Sequence, residues 1–153
     1  MKIIALNGHK NCGKVKLAEK WDKNENVTYV KPYSDKRDIE NYIWMDKDDL
    51  KFMVNNNIPV ASRIINEHIY SFFDEQFIND YCVVCVDDDI MKQFLASDYD
   101  VITVFVDNPK AEKSDRVETL YPKSSYYAVY NYGFDDAGEF LEQLAFDLEL
   151  VQS

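Results

Sequence analysis

Short apolar runs alternate with segments of helical periodicity along the chain. Residues 81–86 and 101–106 are almost continuously apolar, which is typical of strands that are buried on both faces of a sheet. Strands are also predicted at residues 3–6, 27–30, 59–65 and 126–130, and helices at residues 13–22, 47–55, 74–79, 88–96 and from 135 onward. This alternation predicts an α/β fold with a mostly parallel sheet that is flanked by helices.

The segment 47–55 shows clear helix signals. Asp46 precedes it and is a candidate N-cap, because its carboxylate can accept a hydrogen bond from a free backbone N–H of the first turn. Leu50, Phe52 and Met53 are predicted to point inward. We therefore expect this short helix to pack through these three apolar side chains.

The loop after the first strand has the spacing G-x-x-x-x-G-K, from Gly8 to Lys14. Between a strand and a helix, this spacing is typical of a P-loop, in which backbone N–H groups and a helix N-terminus surround phosphate oxygens. Lys14 would reach the β- and γ-phosphates as the catalytic lysine; the alternative is a tight turn followed by an ordinary surface lysine. The predicted nucleotide-binding residues are Gly8, His9, Lys10, Asn11, Cys12, Gly13, Lys14 and Val15.

Val15 occupies the position at which a P-loop carries Ser or Thr. The missing hydroxyl would coordinate Mg²⁺, which bridges the β- and γ-phosphates and offsets developing charge. Asp87 follows an apolar strand and is the candidate that would hold Mg²⁺ indirectly, through water. The alternative at this strand end is that Asp88 or Asp89 caps the next helix. We expect phosphate binding to survive the valine and efficient phosphoryl transfer to be lost.

Size and charge limit the classes of function. The chain of 153 residues is long enough for one domain with a core. Its net charge of −11 argues against duplex nucleic acid as a partner, and the acidic surface serves either solubility or mimicry of DNA. The sequence contains no membrane-spanning apolar run and no signal-peptide pattern. Cys82 and Cys85 lie within an apolar strand and Cys12 lies in the loop, so we expect all three cysteines to be reduced and to form no metal or redox site. We expect a cytoplasmic protein with no membrane partner, and the oligomeric state stays open.

The order of these features resembles that of guanylate kinases and, more loosely, of nucleoside monophosphate kinases. After the P-loop, segment 46–51 looks like the helix of a monophosphate-binding insert, and segment 83–106 looks like the middle strand pair. The sequence YAVYNY at 127–132, followed by the acidic segment 135–150, looks like the closing strand and helix. The resemblance covers most of the chain, and the P-loop is its most specific motif. It implies one domain over residues 1–153, with a short insert at about 33–72 and a reduced lid at about 108–125.

The resemblance implies binding sites that are only partly present. Arg37 and Glu40 keep the spacing with which the family's insert holds the phosphate and reads guanine, but Ser34 stands where another arginine is expected. Tyr70 would contact the monophosphate, and Arg116 is the one arginine in the lid stretch, where the family has several. The implied substrate-binding residues are Ser34, Arg37, Glu40, Tyr70 and Asp87, and the implied catalytic residues are Lys14 and Arg116. An ordinary surface position is the alternative for Arg37, Glu40, Tyr70 and Arg116.

The sequence therefore favours a nucleotide-binding protein of guanylate kinase type with a degenerate P-loop. Such a pseudokinase-like protein would bind ATP or another nucleotide and would be weak or inactive in phosphoryl transfer to a (deoxy)nucleoside monophosphate. Two alternatives stay open. One is an active small nucleoside monophosphate kinase, and the other is an acidic protein-interaction module or inhibitor with a protein partner.

Overall fold

The computed structural model describes residues 2–8, 14–22, 27–107 and 126–129. In these segments the strands form two sheets. The helices are α1 (Lys14–Trp21), α2 (Lys47–Asn55) and α3 (Asp88–Leu95), with a 3₁₀ helix at Asp74–Gln76. The strands are β1 (Lys2–Gly8), β2 (Val27–Tyr29), β3 (Tyr33–Ser34), β4 (Ile43–Trp44), β5 (Ala61–Ile65), β6 (His68–Phe72), β7 (Tyr81–Cys85), β8 (Asp100–Asp107) and β9 (Tyr126–Val129).

The first sheet is parallel throughout, with the strand order β2-β7-β1-β8-β9. Its central strand, β1, is covered on both faces, and this explains why its sequence is apolar without alternation. Ile4 and Leu6 pack with residues of α1 on one face, whereas Ile3 and Ala5 pack with residues of α3 on the other. The predicted α/β fold with a parallel sheet between helices is confirmed.

The second sheet lies between β2 and β7 in the sequence and has the order β4-β3-β6-β5. Its strands β3 and β4 are parallel, whereas β6 is antiparallel to both β3 and β5. Helix α2 covers one face through Leu50, which is fully buried with Ile69 and Phe73. Met53 packs against this cluster, but Phe52 is 63% exposed, so its predicted inward orientation is wrong. The helix turns Phe52 away from the sheet because it lies about 200° around the axis from Leu50.

Most predicted elements of the central sheet are present with ends shifted by one or two residues. Helix α2 has its predicted bounds, and the Asp46 carboxylate accepts a hydrogen bond from Asp48 N at 3.1 Å as its N-cap. The helix predicted at 74–79 is only a 3₁₀ turn, and β3, β4 and β6 were not predicted. The predicted final helix and the lid lie outside the described residues. No helix in the described segments is long and apolar enough to cross a membrane.

Candidate functional site

The first part of the site is the carboxyl end of β1, at the middle of the parallel sheet. Gly8 is the last residue of β1 and is paired with Val106 of β8. Lys14 is the first residue of α1, and its Nζ donates a hydrogen bond to the Gly8 carbonyl at 3.3 Å. The lysine therefore folds back over the end of the central strand. Residues 9–13, which complete the predicted phosphate-binding loop, lie outside the described residues.

The described residues at this point offer a divalent cation no preformed set of ligands. Val15 follows Lys14 in the first turn of α1 and brings no oxygen. The described residues contain no cluster of three or more His, Cys, Asp or Glu side chains that could hold a metal ion. Asp87, the candidate for indirect coordination, uses both carboxylate oxygens in contacts with the protein. The residues described here do not fit the usual Mg²⁺ site of a P-loop.

Asp87 lies beside the end of β1 and is the N-cap of α3. Its Oδ1 accepts a hydrogen bond from Ile90 N at 2.9 Å, so the helix is capped by Asp87 itself and not by Asp88 or Asp89, which were the alternative. The neighbouring Asp88 accepts a hydrogen bond at 2.8 Å from the buried Asn7 side chain at the end of β1. These contacts fix the start of α3 against the central strand.

The second part of the site is a line of side chains across the second sheet, which we call the cross-sheet row. By strand register, Arg63 of β5 is paired with Tyr70 of β6, Tyr70 with Ser34 of β3, and Ser34 with Trp44 of β4. Directly paired residues point to the same face of a sheet, and strands are spaced by about 4.8 Å, so the row is roughly 14 Å long. Two predicted substrate-binding residues, Ser34 and Tyr70, are thus neighbours.

Aromatic contacts bring a third predicted residue to this row. The guanidinium carbon of Arg37 lies 5.2 Å from the centre of the Trp44 ring, within the range of a cation–π contact. Tyr42 packs edge-on against Tyr70 with ring centres 4.9 Å apart, and burial raises the pKa of Tyr42. Arg37, Ser34 and Tyr70 therefore belong to one surface of the second sheet.

The loop between β3 and Arg37 is held by Asp35. Its Oδ1 accepts a hydrogen bond from Ile69 N at 2.7 Å, and its Oδ2 lies 2.9 Å from Nδ1 of His68. Burial raises the pKa of Asp35, but the hydrogen bonds from Ile69 and His68 outweigh it and hold the pKa below its usual range. Asp35 ties this loop to β6, which carries Tyr70.

Arg63 joins the cross-sheet row to the end of the parallel sheet. Its Nη1 donates to Asp87 Oδ2, and its Nε lies 3.5 Å from Asp89 Oδ2. Next to it, Gln93 of α3 donates to Ser62 O at 2.8 Å and accepts from Ser62 N at 2.9 Å. These bonds cover the outer edge of β5 and attach it to α3.

Sequence reasoning missed Arg63 altogether. One signal was available, since the chain has only three arginines, Arg37, Arg63 and Arg116. Two of them lie at opposite ends of the same row across the second sheet. The scarcity of arginine could have directed attention to Arg63, but its partner could not be read from the sequence.

The architecture is shared with a solved structure. The guanylate kinase of Anaplasma phagocytophilum matches it with a TM-score of 0.69 at 14% sequence identity, over 97% of this chain and 84% of that one. The chain has a guanylate kinase-like fold. A de novo designed protein of P-loop NTPase fold, solved by NMR, is 18% identical over 99% of this chain and 98% of that one, but a TM-score of 0.37 does not indicate a shared fold. No family model and no curated protein matches the sequence.

Two predicted site residues, Glu40 and Arg116, are not among those that the structure brings together. The Glu40 side chain is exposed, and its backbone carbonyl accepts a hydrogen bond from Lys31 Nζ at 2.6 Å. Arg116 lies outside the described residues. Because identity to the matched kinase is low, the fold itself fixes neither the ligand nor the reaction. These must be argued from the side chains.

Proposed function

We propose that the chain binds a nucleotide as a guanylate kinase-type protein and is weak or inactive in phosphoryl transfer. The observation that carries this proposal is the position of Lys14 over the carboxyl end of β1, with Nζ 3.3 Å from the Gly8 carbonyl. In open α/β sheets, ligands bind outside the carboxyl ends of the strands. The ammonium group can exchange its hydrogen bond to this backbone carbonyl for a stronger, charge-assisted hydrogen bond to a phosphate oxygen.

The donor nucleotide would place its phosphates at the start of α1. There, the free N–H groups of the first turn and the helix dipole favour negative charge. Lys14 would add a positive charge, and the spacing from Gly8 to Lys14 is that of a phosphate-binding loop. In the proposed reaction type, phosphoryl transfer to a nucleoside monophosphate, the donor bound at this site would be ATP.

The acceptor would be a (deoxy)nucleoside monophosphate on the second sheet, which is the proposed insert at about 33–72 of a single domain spanning 1–153. Arg37 would supply positive charge for the phosphate, and the Tyr70 hydroxyl would supply a hydrogen bond. Both lie next to aromatic rings that hold them in place. Ser34 supports this surface from within, because its buried hydroxyl accepts a hydrogen bond from Lys36 N at 3.1 Å.

We expect weak phosphoryl transfer because few groups in the chain would hold the transferring phosphate. Phosphoryl transfer depends on positioning and on positive charge around the phosphate, which Mg²⁺ and arginines normally supply. Val15 offers no ligand to the metal, and the Asp87 carboxylate is already bonded to Arg63 and Ile90 N. An active kinase stays the alternative, and it would need Arg116 and a differently held metal.

The test is a thermal-shift titration of the purified chain with ATP, GMP and the other (deoxy)nucleoside monophosphates, each with and without Mg²⁺. A ligand that binds only the folded state stabilises it by about 2.7 kcal/mol at a hundredfold excess over Kd. We expect Lys14→Ala to weaken ATP binding about tenfold or more, since a charge-assisted hydrogen bond is worth about 1.5–3 kcal/mol. Lys51→Ala, at an exposed position on α2, is the matched control.

Arg37→Ala separates the two halves of the proposed site. It should remove the stabilisation by monophosphates and leave the stabilisation by ATP unchanged. The proposal is contradicted if no nucleotide stabilises the wild-type chain, or if Lys14→Ala and wild type respond equally to ATP.

A further inference from the structure

An apolar cavity opens on the opposite side of the second sheet from the cross-sheet row. Neighbouring residues in a strand point to opposite faces, so Tyr33 faces away from Ser34 and packs edge-on against Phe73, with ring centres 5.3 Å apart. The cavity has a volume of about 540 Å³, which is within the range of ligand-binding pockets. It is lined by Tyr33, Met45, Met53, Ile58, Phe73, Glu75, Gln76 and Ile78.

The rim of this cavity exposes apolar side chains to solvent. Ile58 is 44% exposed and Ile78 is 81% exposed, and both line the cavity. Met45 and Met53 add two flexible, polarisable side chains, which adapt to different apolar partners. Exposed apolar groups around a concavity mark a binding surface more often than scattered single residues do.

Glu75 is the one charged side chain in the lining of this cavity. Among the described residues, no lysine, arginine or histidine forms an ion pair with Glu75. The chain as a whole has a net charge of −11. Gln76 is already fixed, since it donates to Lys31 O at 2.7 Å and accepts from Phe73 N at 2.9 Å. Glu75 is therefore the group that can select a charged partner.

We propose that this cavity is a docking site for a protein segment that inserts one apolar side chain beside a lysine or arginine. The apolar side chain would fill the space between Met53 and Phe73, and the cation would pair with Glu75. Charge complementarity fixes the sign of the partner, because an acidic segment would be repelled by Glu75 and by the field of the whole chain. This site lies apart from the proposed nucleotide site and does not depend on it.

The test uses two pools of fluorescein-labelled dodecapeptides and fluorescence anisotropy with the full chain. Both pools carry Phe or Leu at the centre; the basic pool has Lys on either side of it and the acidic pool has Glu. We expect the basic pool to bind at least about tenfold more tightly than the acidic pool. Ile78→Asn should weaken this binding about tenfold, because it replaces an apolar rim side chain by a polar one without changing the charge. Ile64→Asn is the matched control, at an isoleucine that is 65% exposed and does not line the cavity.

Charge reversal makes the test specific. Glu75→Lys should reverse the preference, so that the acidic pool binds more tightly than the basic pool. Thermal unfolding of each variant shows whether it is folded. Glu75, Ile78 and Ile64 are all exposed, so we expect each variant to fold. Equal binding of the two pools, no binding of either, or equal effects of Ile78→Asn and Ile64→Asn would overturn the proposal. Binding of the apolar dye ANS with no binding of either pool would instead assign the cavity to small apolar molecules and would also overturn it.

Discussion

Arg63 in the second sheet forms an ion pair with Asp87 at the carboxyl end of the parallel sheet. About a third of each side chain is exposed, 36% for Arg63 and 32% for Asp87, so solvent screens the pair only in part. The same carboxylate caps α3 by accepting a hydrogen bond from Ile90 N. Asp87 therefore links the start of α3 to Arg63 in the second sheet.

A double-mutant cycle on Arg63→Ala and Asp87→Ala tests this link. We expect Arg63→Ala to lower the free energy of unfolding by about 0.5–1 kcal/mol, the value of a partly exposed ion pair. Asp87→Ala should cost about 1–2 kcal/mol, because it removes the helix cap as well. The two changes should be less than additive, with a coupling energy of about 0.5–1 kcal/mol in urea unfolding.

The control replaces a different helix cap. Asp46 caps α2 through Asp48 N, and it is in none of the ion pairs that the structure gives for the described residues. Arg63→Ala and Asp46→Ala should therefore be additive within about 0.5 kcal/mol. Additive behaviour of Arg63→Ala with Asp87→Ala would show that the ion pair does not contribute to stability.

The parallel sheet could be predicted from the sequence because its strands are covered on both faces. Val83 and Val84 point to opposite faces of β7 and are both fully buried, which requires two successive apolar residues. The position of Lys14 at the start of α1 could also be predicted, since the loop spacing is followed directly by a segment of helical periodicity.

Apart from β5, which corresponds to the strand predicted at 59–65, the second sheet was not predicted, because its pairing is set by tertiary contacts. Strands β3 and β4 have two residues each, too few to show alternation. Ser34 is paired with Tyr70, far along the chain, and only the folded structure brings Trp44 to its other side. For the same reason the Arg63–Asp87 pair was missed, since it depends on how the second sheet packs against α3 and not on any local spacing.

Leu50 and Phe52 are a matched pair for testing how α2 packs. Both lie in the middle of the helix, but Leu50 is fully buried and Phe52 is 63% exposed. Leu50→Ala should lower the free energy of unfolding by about 2–5 kcal/mol through lost burial and the cavity left behind. Phe52→Ala should change it by about 0.5 kcal/mol or less. Equal losses in urea unfolding would contradict the orientation of the helix.

Asp35 should make the stability of the chain depend on acidic pH. Its pKa is lower in the folded state than in the unfolded state, so its contribution is present above the unfolded pKa of about 3.9 and is lost as pH falls through the folded pKa. Asp35→Asn should therefore be less stable than wild type near neutral pH, and the difference should shrink in acid.

Two further variants make this pH measurement specific. Urea unfolding is followed from about pH 7 down to about pH 2.5, a range that covers the carboxylate pKa values. The background is His68→Gln, so that Asp35 faces a neutral side chain that can still donate a hydrogen bond. Asp98→Asn removes an exposed carboxylate and serves as the control. A stability difference between Asp35→Asn and its parent that stays constant across this range would rule out the predicted linkage.

Val15→Thr tests whether the missing oxygen is what limits phosphoryl transfer. Threonine keeps the shape and β-branching of valine and adds the hydroxyl that a P-loop uses to coordinate Mg²⁺. If the proposed function is right, ATP binding by Val15→Thr should become stronger in the presence of Mg²⁺, and transfer to a monophosphate should rise by about tenfold or more, measured as nucleoside diphosphate formed. Val15→Ala is the control, because it changes the volume without adding an oxygen. If Val15→Thr binds ATP with the same Mg²⁺ dependence as wild type, the valine is not the cause, and the arrangement of Asp87 and Arg63 becomes the next candidate.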